Sequence, residues 1–334
     1  MSAPTVVVTH WVHQEVLDLL AGRCRVVSNQ TRESLPRPEL FARLREAEAA
    51  MMFMPDWVDQ ELLDHAPRLK VVGAALKGFD NYDVEALTRR GVWLTNVPDL
   101  LTVPTAELAI GLMLALGRNM LPGHACVASG AFAGWRPTLY GTGLRGSTVG
   151  LVGLGRLGCA LAERLQGWGA RLLGCDPVPL DPARAKALGV EQVGLERLLE
   201  LSDFVVVLTP LVEGAHGLID EAALARMRPG ALLVNVGRGS CVDELAVARA
   251  LVAGTLGGYA ADVFAFEDWI LPGRPRAIPS ELLDPALRTV FTPHLGSAVE
   301  SVRLEIALEA ARNILAALAG QVPPGAVNRP QSAA

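Results

Sequence analysis

The sequence predicts an α/β fold with parallel sheets, divided between two domains. Short runs rich in β-branched residues alternate with helix-like stretches in two series, one beginning near residue 5 and the other near residue 147. Alternation of this kind is typical of parallel strands whose connecting helices cover both faces of a sheet. The chain has 334 residues, and a usual domain has about 100–200. Two separate α/β domains are therefore the simplest arrangement.

The strand-like and helix-like stretches can be read in chain order. The first series consists of TVVVTH, QEVLDLLA, CRVVSN, RPELFARLREA, AAMMFM, DQELLDHA and LKVVGAAL. The second series consists of STVGLVGLG, RLGCALAERLQGWG, ARLLGCD, ERLLELS, DFVVVLTP, DEAALARM, GALLVNVG, DELAVARALVAG, LGGYAADVF and RTVFTPH. Short, almost wholly apolar runs bounded by turn residues are expected of strands that are buried on both faces.

Two further stretches predict helices. TVPTAELAIGLMLALGRNM lies between the two series, with Thr105 as a candidate N-cap, and its small and apolar residues suit a core or a subunit interface. The helix after the last strand ends at Gly320 and carries one apolar stripe, formed by Val302, Ile306, Ala310, Ile314 and Leu318. This last helix can return the chain to the first domain. We therefore predict one discontinuous domain, residues 1–99 with 298–334, and one continuous domain, residues 100–297.

Charge and apolar content argue against several classes of function. Thirty Lys and Arg residues against 35 Asp and Glu give a net charge of −5 without a basic run, so we expect no nucleic-acid partner. The N-terminus lacks the features of a signal peptide, and no apolar run approaches the roughly 20 residues that span a bilayer. We expect a cytoplasmic protein without membrane contact. The five cysteines have neither paired nor metal-like spacing, which predicts reduced, buried thiols and no metal site.

A glycine-rich motif opens the second series. Gly153, Gly155 and Gly158 form a GxGxxG pattern directly after a strand and at the start of a helix. The three glycines allow a tight turn, a close approach of a pyrophosphate to the backbone, and close packing of helix on strand. The alternative is a structural glycine turn without a ligand. The strand, the helix and an acid at the end of the next strand favour a dinucleotide site.

That acid is Asp176, which also bears on the choice of dinucleotide. A carboxylate at this point can bond both ribose hydroxyls but repels a 2′-phosphate, so NAD is favoured over NADP. Pro177 follows where an arginine would favour NADP. Arg184 and Lys186 lie close enough in sequence to keep NADP as an alternative.

Three chemically active residues follow strands of the second series. Arg238 lies in NVGRGSCVDE, Glu267 in ADVFAFED and His294 in FTPHLGS. Each has an ordinary explanation: an arginine on a turn, a surface acid, a histidine after a proline. Parallel sheets bind ligands at the carboxyl ends of their strands, and an acid beside an imidazole orients it and raises its pKa. The joint occurrence of the three residues behind a dinucleotide fold favours a functional site over three unrelated surface residues.

At this point the sequence resembles a known family, the D-2-hydroxyacid dehydrogenases, over nearly its whole length. The matching signatures are VGLGRLG, GALLVNVGRGSCVDE, GGYAADVF and TPHLGS. The resemblance implies a Rossmann-type NAD-binding domain inserted in a smaller flavodoxin-like α/β substrate domain, and a homodimer. It implies that Arg238 binds the substrate anion and that His294, held by Glu267, performs acid–base catalysis. It also assigns further residues to the cofactor, namely Arg156, Leu157, Pro210, Asp262 and His294.

Lys77 stands where the apolar run VVGAAL meets the turn at Gly78, a position where most members of the family would not have a lysine. With Arg238 and Arg303, it suggests two or three cations around a small dianion, a role in which the Gly78 backbone can assist. The alternative is a surface lysine paired with Asp80. Lys77 is therefore the residue on which a narrower assignment of the substrate depends.

ALKGFDN, VPDLLTVPTAELAIGL, LQGWGA, FEDW and SAVESVRLEI resemble one branch of the family, the phosphite (phosphonate) dehydrogenases. This implies oxidation of phosphite to phosphate, with hydride transfer from the P–H bond to NAD⁺, water as the nucleophile and His294 as the base. It also implies substrate contacts for Met54, Trp135 and Tyr140, residues that would equally suit packing or an interface.

Two alternatives stay open. The first is a D-2-hydroxyacid dehydrogenase of the glyoxylate or hydroxypyruvate reductase type, in which Lys77 is incidental. The second is a non-catalytic NAD-sensing binding protein on the same fold. Both keep the dinucleotide site, so the substrate assay separates them.

Overall fold

The computed structural model describes residues 3–269 and 271–330. The chain forms two compact units. One consists of the described residues of Met1–Leu101 and Ala298–Ala334, and we refer to it as the split unit. The other, Thr102–Ser297, is the continuous unit.

All strands are short, between three and five residues long. They are β1 (Thr5–Val8), β2 (Arg25–Ser28), β3 (Ala49–Met52), β4 (Val71–Ala74), β5 (Trp93–Thr95), β6 (Thr148–Val152), β7 (Arg171–Cys175), β8 (Val190–Gln192), β9 (Phe204–Val207), β10 (Leu232–Asn235), β11 (Gly258–Ala261) and β12 (Thr289–Phe291).

The helices alternate with the strands along most of the chain. They are α1 (Gln14–Ala21), α2 (Arg37–Leu44), α3 (Gln60–His65), α4 (Val84–Arg89), α5 (Thr102–Gly117), α6 (Met120–Ala128), α7 (Arg156–Arg164), α8 (Pro182–Leu188), α9 (Leu195–Leu201), α10 (Glu221–Arg226), α11 (Glu244–Val252) and α12 (Glu300–Leu318). Five of them begin after an aspartate whose carboxylate accepts a backbone N–H of the first turn; the capping residues are Asp59, Asp83, Asp181, Asp220 and Asp243.

The split unit contains a five-stranded parallel sheet in the order β2-β1-β3-β4-β5, which is the flavodoxin-like order. Helix α12 packs on β4 at Gly73, where a Cβ atom would lie 2.6 Å from Cγ1 of Ile314. The glycine therefore allows the helix to lie close to the sheet. On its predicted stripe, Ile306, Ala310 and Ile314 are buried.

The continuous unit contains a seven-stranded parallel sheet in the order β12-β11-β10-β9-β6-β7-β8. The run β8-β7-β6-β9-β10-β11 is the doubly wound order of a Rossmann fold, extended by β12. The predicted α/β fold with two parallel sheets is confirmed. Because all strands run the same way, the carboxyl ends of β6, β7, β10, β11 and β12 lie along one edge of this sheet.

Helix α5 begins at Thr102, so the prediction of Thr105 as its N-cap is wrong. Pro104 lies within the first turn, where its missing N–H costs no helical hydrogen bond. The expected core role of this helix is confirmed, because one face is buried against the sheet of the continuous unit through Ala106, Ala109, Leu112, Met113 and Leu116.

All five cysteines are free thiols. Cys24, Cys159 and Cys241 are buried, whereas Cys126 and Cys175 are only partly so. The prediction of full burial is wrong for these two, because Cys126 lies on α6, which has no buried residue, and Cys175 is the last residue of β7, at the carboxyl end of that strand. Among the described residues, no helix is both long enough and apolar enough to cross a membrane.

Candidate active site

The glycine-rich turn joins β6 to α7 in the continuous unit. Gly153 has a φ of +105°, which side chains rarely adopt, and a Cβ atom on Gly158 would overlap the carbonyl oxygen of Gly153. Gly155 differs from both, because a Cβ atom there would have no described atom within 4 Å. The fold requires glycine at the first and third positions. The second leaves open space at the helix start, which fits a dinucleotide pyrophosphate.

Asp176 follows β7 and holds this turn. One carboxylate oxygen accepts the Leu154 N–H at 2.7 Å, and the other accepts the Val178 N–H at 2.8 Å. A carboxylate has about four acceptor positions, so these two bonds leave capacity for ribose hydroxyls. Arg184 and Lys186 lie on α8 and are exposed.

The other cofactor residues predicted from the sequence belong to the same unit. Arg156 and Leu157 begin α7, Pro210 follows β9, and Asp262 follows β11. The Asp262 carboxylate is buried and accepts three hydrogen bonds, from Thr292 Oγ1 at 2.6 Å and from the Leu295 and Gly296 N–H groups at 2.6 and 2.8 Å. Burial raises its pKa despite these bonds. Asp262 thus fixes the loop after β12; its contact with the cofactor stays a prediction.

Arg238 lies in the turn after β10. The Asn235 side chain closes this turn, because its Nδ2 donates to the Arg238 carbonyl at 2.9 Å and its Oδ1 accepts the Gly237 N–H at 3.1 Å. Arg238 is half-buried, and its Nη1 donates to the Gly237 carbonyl at 3.0 Å. The turn therefore fixes the guanidinium at the carboxyl edge of the sheet.

The turn that carries Glu267 interlocks with the Arg238 turn. A Cβ atom on Gly239 would overlap the backbone of Phe264 and Ala265, so glycine is required for the two turns to meet. The Ser240 N–H donates to Asp268 Oδ2 at 2.8 Å, and the Phe264 N–H donates to Glu267 Oε1 at 2.8 Å. Glu267 is thereby fixed by its own turn.

His294 and Glu267 form a hydrogen bond of 2.7 Å between Nδ1 and Oε2. Because an ionised carboxylate only accepts hydrogen bonds, Nδ1 carries a proton and Nε2 is the nitrogen that can act on a substrate. His294 has a φ of +54°, in the left-handed region, and its N–H donates to the Asp262 carbonyl at 2.9 Å. The two side chains are 30% and 18% exposed. The pair is therefore oriented and accessible, as acid–base catalysis requires.

Sequence reasoning missed Glu244, the first residue of α11. Its side chain is 5% exposed, and Oε1 accepts the Ala265 N–H at 2.8 Å. Burial raises its pKa to about 7; that hydrogen bond opposes the rise, and the charges of Asp268, Glu267 and Asp243 add to it. A glutamate after an aspartate at a helix start looks like part of a cap, so no sequence signal marks it.

The raised pKa of Glu244 predicts a pH dependence of stability. In the unfolded chain the carboxyl ionises near 4.5 but in the folded protein only near 7, so the free energy of unfolding falls as pH rises through this window and then levels off. Glu244→Gln lacks this ionisation. The difference in free energy of unfolding between the variant and the wild type should therefore change by about 2 kcal/mol in favour of the variant from pH 5 to pH 8. Denaturant unfolding of both proteins at both pH values measures this. The same change in the free energy of unfolding with pH in the two proteins would contradict the prediction.

In the split unit, the predicted substrate residues lie at the carboxyl edge of the five-stranded sheet. Lys77 and Gly78 follow β4 and are half-buried, and the Lys77 carbonyl accepts Asn96 Nδ2 at 2.7 Å. Met54 follows β3 and is half-buried. Arg303 lies in the first turn of α12, its guanidinium 5.8 Å from the centre of the Phe53 ring, and burial lowers its pKa. The structure thus brings Arg303 to the loop that carries Met54.

Phe53, which lies near Arg303, and its neighbours His10 and Asp56 were not singled out from the sequence. The Phe53 ring, besides lying near Arg303, contacts the His10 ring edge-on at 5.5 Å. The buried Asp56 carboxylate accepts hydrogen bonds from Thr9 Oγ1 at 2.5 Å and from the Phe53 N–H at 2.8 Å. Their positions could have indicated them, because Thr9 and His10 follow β1 directly and Asp56 lies in the loop after β3.

Trp135 and Tyr140 lie in the irregular segment after α6. Their side chains are 80% and 74% exposed. Their assignment to the substrate stays a prediction.

Comparisons with known proteins agree with this fold. The model of the D-isomer specific 2-hydroxyacid dehydrogenase, NAD binding domain, matches residues 110–296. The chain is 35% identical over 331 residues to the glyoxylate reductase of Thermococcus litoralis, covering 98% of this chain and 97% of that protein. It also resembles a solved structure from Thermus thermophilus, with a TM-score of 0.88 and 35% identity over 97% of this chain and 100% of the other. An NADPH-dependent glyoxylate/hydroxypyruvate reductase of Sinorhizobium meliloti, solved with NADP and malonate, gives a TM-score of 0.83 at 28% identity over 98% of both chains.

Proposed function

The chain belongs to the D-isomer specific 2-hydroxyacid dehydrogenase family, and from this premise we propose that it reduces glyoxylate and related small 2-keto acids with NADH. It is an NAD-dependent oxidoreductase. The observation that carries the proposal is the His294–Glu267 pair, bonded at 2.7 Å, at the edge of the NAD-binding sheet. The similarity to a glyoxylate reductase over 98% of the chain supports the same substrate class. This reading takes precedence over the phosphite oxidation inferred from sequence.

The residues of the continuous unit suit this reaction. NAD, when bound, supplies or accepts the hydride. Arg238 binds the substrate carboxylate through paired N–H groups. Protonated His294 donates from Nε2 to the carbonyl oxygen, and Glu267 stabilises the imidazolium before that transfer. In the oxidative direction the same nitrogen accepts the proton of the hydroxyl group.

Several residues hold the cofactor in this proposal. The glycine turn and the first residues of α7 receive the pyrophosphate, Asp176 the ribose, and Pro210, Asp262 and His294 the nicotinamide end. In the split unit we assign substrate contacts to Lys77, the Gly78 backbone, Arg303 and Met54.

A paired assay tests the proposed function. Purified protein is mixed with NADH and glyoxylate or hydroxypyruvate, and in parallel with NAD⁺ and phosphite, and absorbance at the NADH band is followed. We expect turnover of the 2-keto acids. Turnover of phosphite alone would overturn the proposal in favour of the second candidate. Binding of NAD without turnover of any small acid would overturn it in favour of a non-catalytic NAD sensor.

Phosphite oxidation is the second candidate, favoured by one specific observation. The split unit places Lys77 after β4 and the partly buried Arg303 beside Phe53, and both cations are candidates for substrate binding in addition to Arg238. Such a set suits a dianion with oxygens in several directions. In that reaction water attacks phosphorus as hydride leaves the P–H bond for NAD⁺, and His294 accepts the proton of the water.

Lys77→Ala separates the two candidates. If the substrate is a monoanionic 2-keto acid bound chiefly by Arg238, we expect KM to rise less than about 10-fold, because one cation still pairs with one carboxylate. If the substrate is phosphite, KM should rise by about 100-fold or more, because the variant lacks one of the cations that pair with the dianion. Steady-state kinetics with each substrate measure both. NAD binding in the same variant is the control and should be unchanged.

We also propose that a second copy of the chain covers the segment 120–143. Helix α6 has no buried residue, and the segment exposes several large apolar side chains, namely Met120, Leu121, Val127, Phe132, Trp135, Leu139 and Tyr140. Continuous apolar exposure on this scale is typical of an interface, and a two-fold dimer is the commonest way of covering it.

Light scattering after size-exclusion chromatography tests the dimer. The wild type should elute with twice the mass of one chain, and Phe132→Ser with Trp135→Ser should shift the protein towards monomer. Trp168→Ser is the matched control, because Trp168 is exposed elsewhere on the continuous unit at 40% and its loss should leave the mass unchanged. A monomeric wild type would refute the proposal.

A further inference from the structure

The Glu267 turn is held from two sides by two glutamates. The Phe264 N–H donates to Glu267 itself, and the next N–H, of Ala265, donates to Glu244 Oε1 at 2.8 Å. Ala265 begins the short turn Ala265–Glu267. The backbone just before Glu267 is therefore fixed by a carboxyl group that comes from a different element, α11.

The start of α11 does not explain Glu244. The cap of this helix is Asp243, whose carboxylate accepts the Ala246 N–H at 2.9 Å. Glu244 is 5% exposed, and among the described residues its Oε2 is buried without a hydrogen-bond partner. Burying a carboxyl group in this way is costly, and an apolar residue would pack there without the cost. The feature served by the carboxyl group is the N–H of Ala265.

We propose that Glu244 is a positioning residue for the Glu267–His294 pair: it holds the turn that carries Glu267, and its charge governs how strongly His294 retains a proton. The inference deepens the proposed function and rests on the roles given there to His294 and Glu267.

The charged groups around Glu244 favour such coupling. Asp268 and Glu267 act on it from the turn, Asp243 from its own helix, and Tyr259 interacts with it from β11. A further negative charge close to Glu267 favours the imidazolium form of His294, because it adds to the field of the carboxylate that already pairs with the ring. The pKa of Glu244, raised to about 7, means that this charge appears near neutral pH.

The two functions of Glu244 can be separated by two substitutions. Glu244→Gln keeps an oxygen that can accept the Ala265 N–H but removes the charge. Glu244→Ala removes both. Glu221→Gln is the matched control. It removes an exposed carboxylate of α10 that pairs with Arg249, a residue on the same helix as Glu244.

The His294 pKa is measured directly by NMR of the imidazole ring in NAD-bound protein, with the signal identified by its loss in His294→Asn. In Glu244→Gln it should fall by about 0.5–1 unit, and the acid limb of the kcat/KM profile should move with it. Glu221→Gln should leave both unchanged. Glu244→Ala should also lose about 10-fold in kcat, which Glu244→Gln should recover.

An unchanged His294 pKa in Glu244→Gln, or equal loss of kcat in the Gln and Ala variants with NAD affinity retained, would overturn the proposal. The NMR titration needs no turnover. If the protein turns over none of the substrates, the proposed function is refuted. The NMR titration then still tests the role of Glu244.

Discussion

His294→Asn is expected to lower kcat for glyoxylate reduction by about 1,000-fold, with NADH affinity changed by less than about 3-fold. The reason is the geometry of the ring: Nδ1 is bonded to Glu267 at 2.7 Å, and Nε2 is the nitrogen left to transfer the proton. Asparagine is the appropriate replacement because the backbone at 294 has a φ of +54°, which asparagine tolerates better than alanine. The loss would thus reflect the missing imidazole rather than a strained loop.

Steady-state and single-turnover kinetics measure this effect, and fluorescence titration measures NADH binding. Glu267→Gln is the companion variant, because the amide oxygen can still accept the Nδ1 proton but no longer stabilises the imidazolium. We expect kcat of Glu267→Gln to fall by about 10- to 100-fold, less than in His294→Asn. The pKa on the acid limb of its kcat/KM profile should be lower than in the wild type. A His294→Asn enzyme with nearly normal kcat would exclude His294 as the acid.

The family resemblance predicted the His294–Glu267 pairing, and the strand order accounts for it. Both residues follow strands of one parallel sheet, and β11 and β12 are hydrogen-bonded neighbours. Their carboxyl ends therefore meet at the same edge. The same logic identifies the glycine turn and Asp176, whose positions after β6 and β7 are fixed by the βαβ connection.

Strand order does not indicate the residues that surround the site residues. Glu244 acts through a single backbone N–H that lies 21 residues away in sequence, and no periodicity reports such a bond. The contact of Phe53 with His10 and with Arg303 depends on side-chain orientation beside two loops. The sequence predicts helix α5 in the right place but starts it too late, since Thr105 looks like a better cap than the residues before Pro104.

Substrate choice shows another limit of sequence reasoning. A count of cations takes Lys77 and Arg303 as evidence of a dianion without regard to their environment. The structure places Lys77 three residues after the end of β4, and it places the Arg303 guanidinium over the Phe53 ring, which can stabilise a cation whether or not a ligand is bound. A charge count therefore favours phosphite more strongly than the surroundings of these two cations do.

Gly239→Ala is expected to destabilise the continuous unit by on the order of 3 kcal/mol and to abolish most turnover. An added Cβ atom would overlap the backbone of Phe264 and Ala265, and backbone atoms cannot rotate away as a side chain can. One of the two turns must move, and they carry Arg238 and Glu267. Stability and catalysis should therefore fall together, as measured by denaturant unfolding and by kcat/KM.

Gly111→Ala is the matched control because it adds the same methyl group in open space. A Cβ atom at Gly111 would meet no described atom within 4 Å, and the residue lies inside α5. Alanine there should raise the free energy of unfolding by about 0.5–1 kcal/mol and leave kcat/KM unchanged. If the same added methyl group lowers the free energy of unfolding at position 239 and raises it at position 111, glycine is required at 239 because the two turns contact each other there. Normal activity and stability in Gly239→Ala would mean instead that Arg238 and Glu267 are positioned independently of each other.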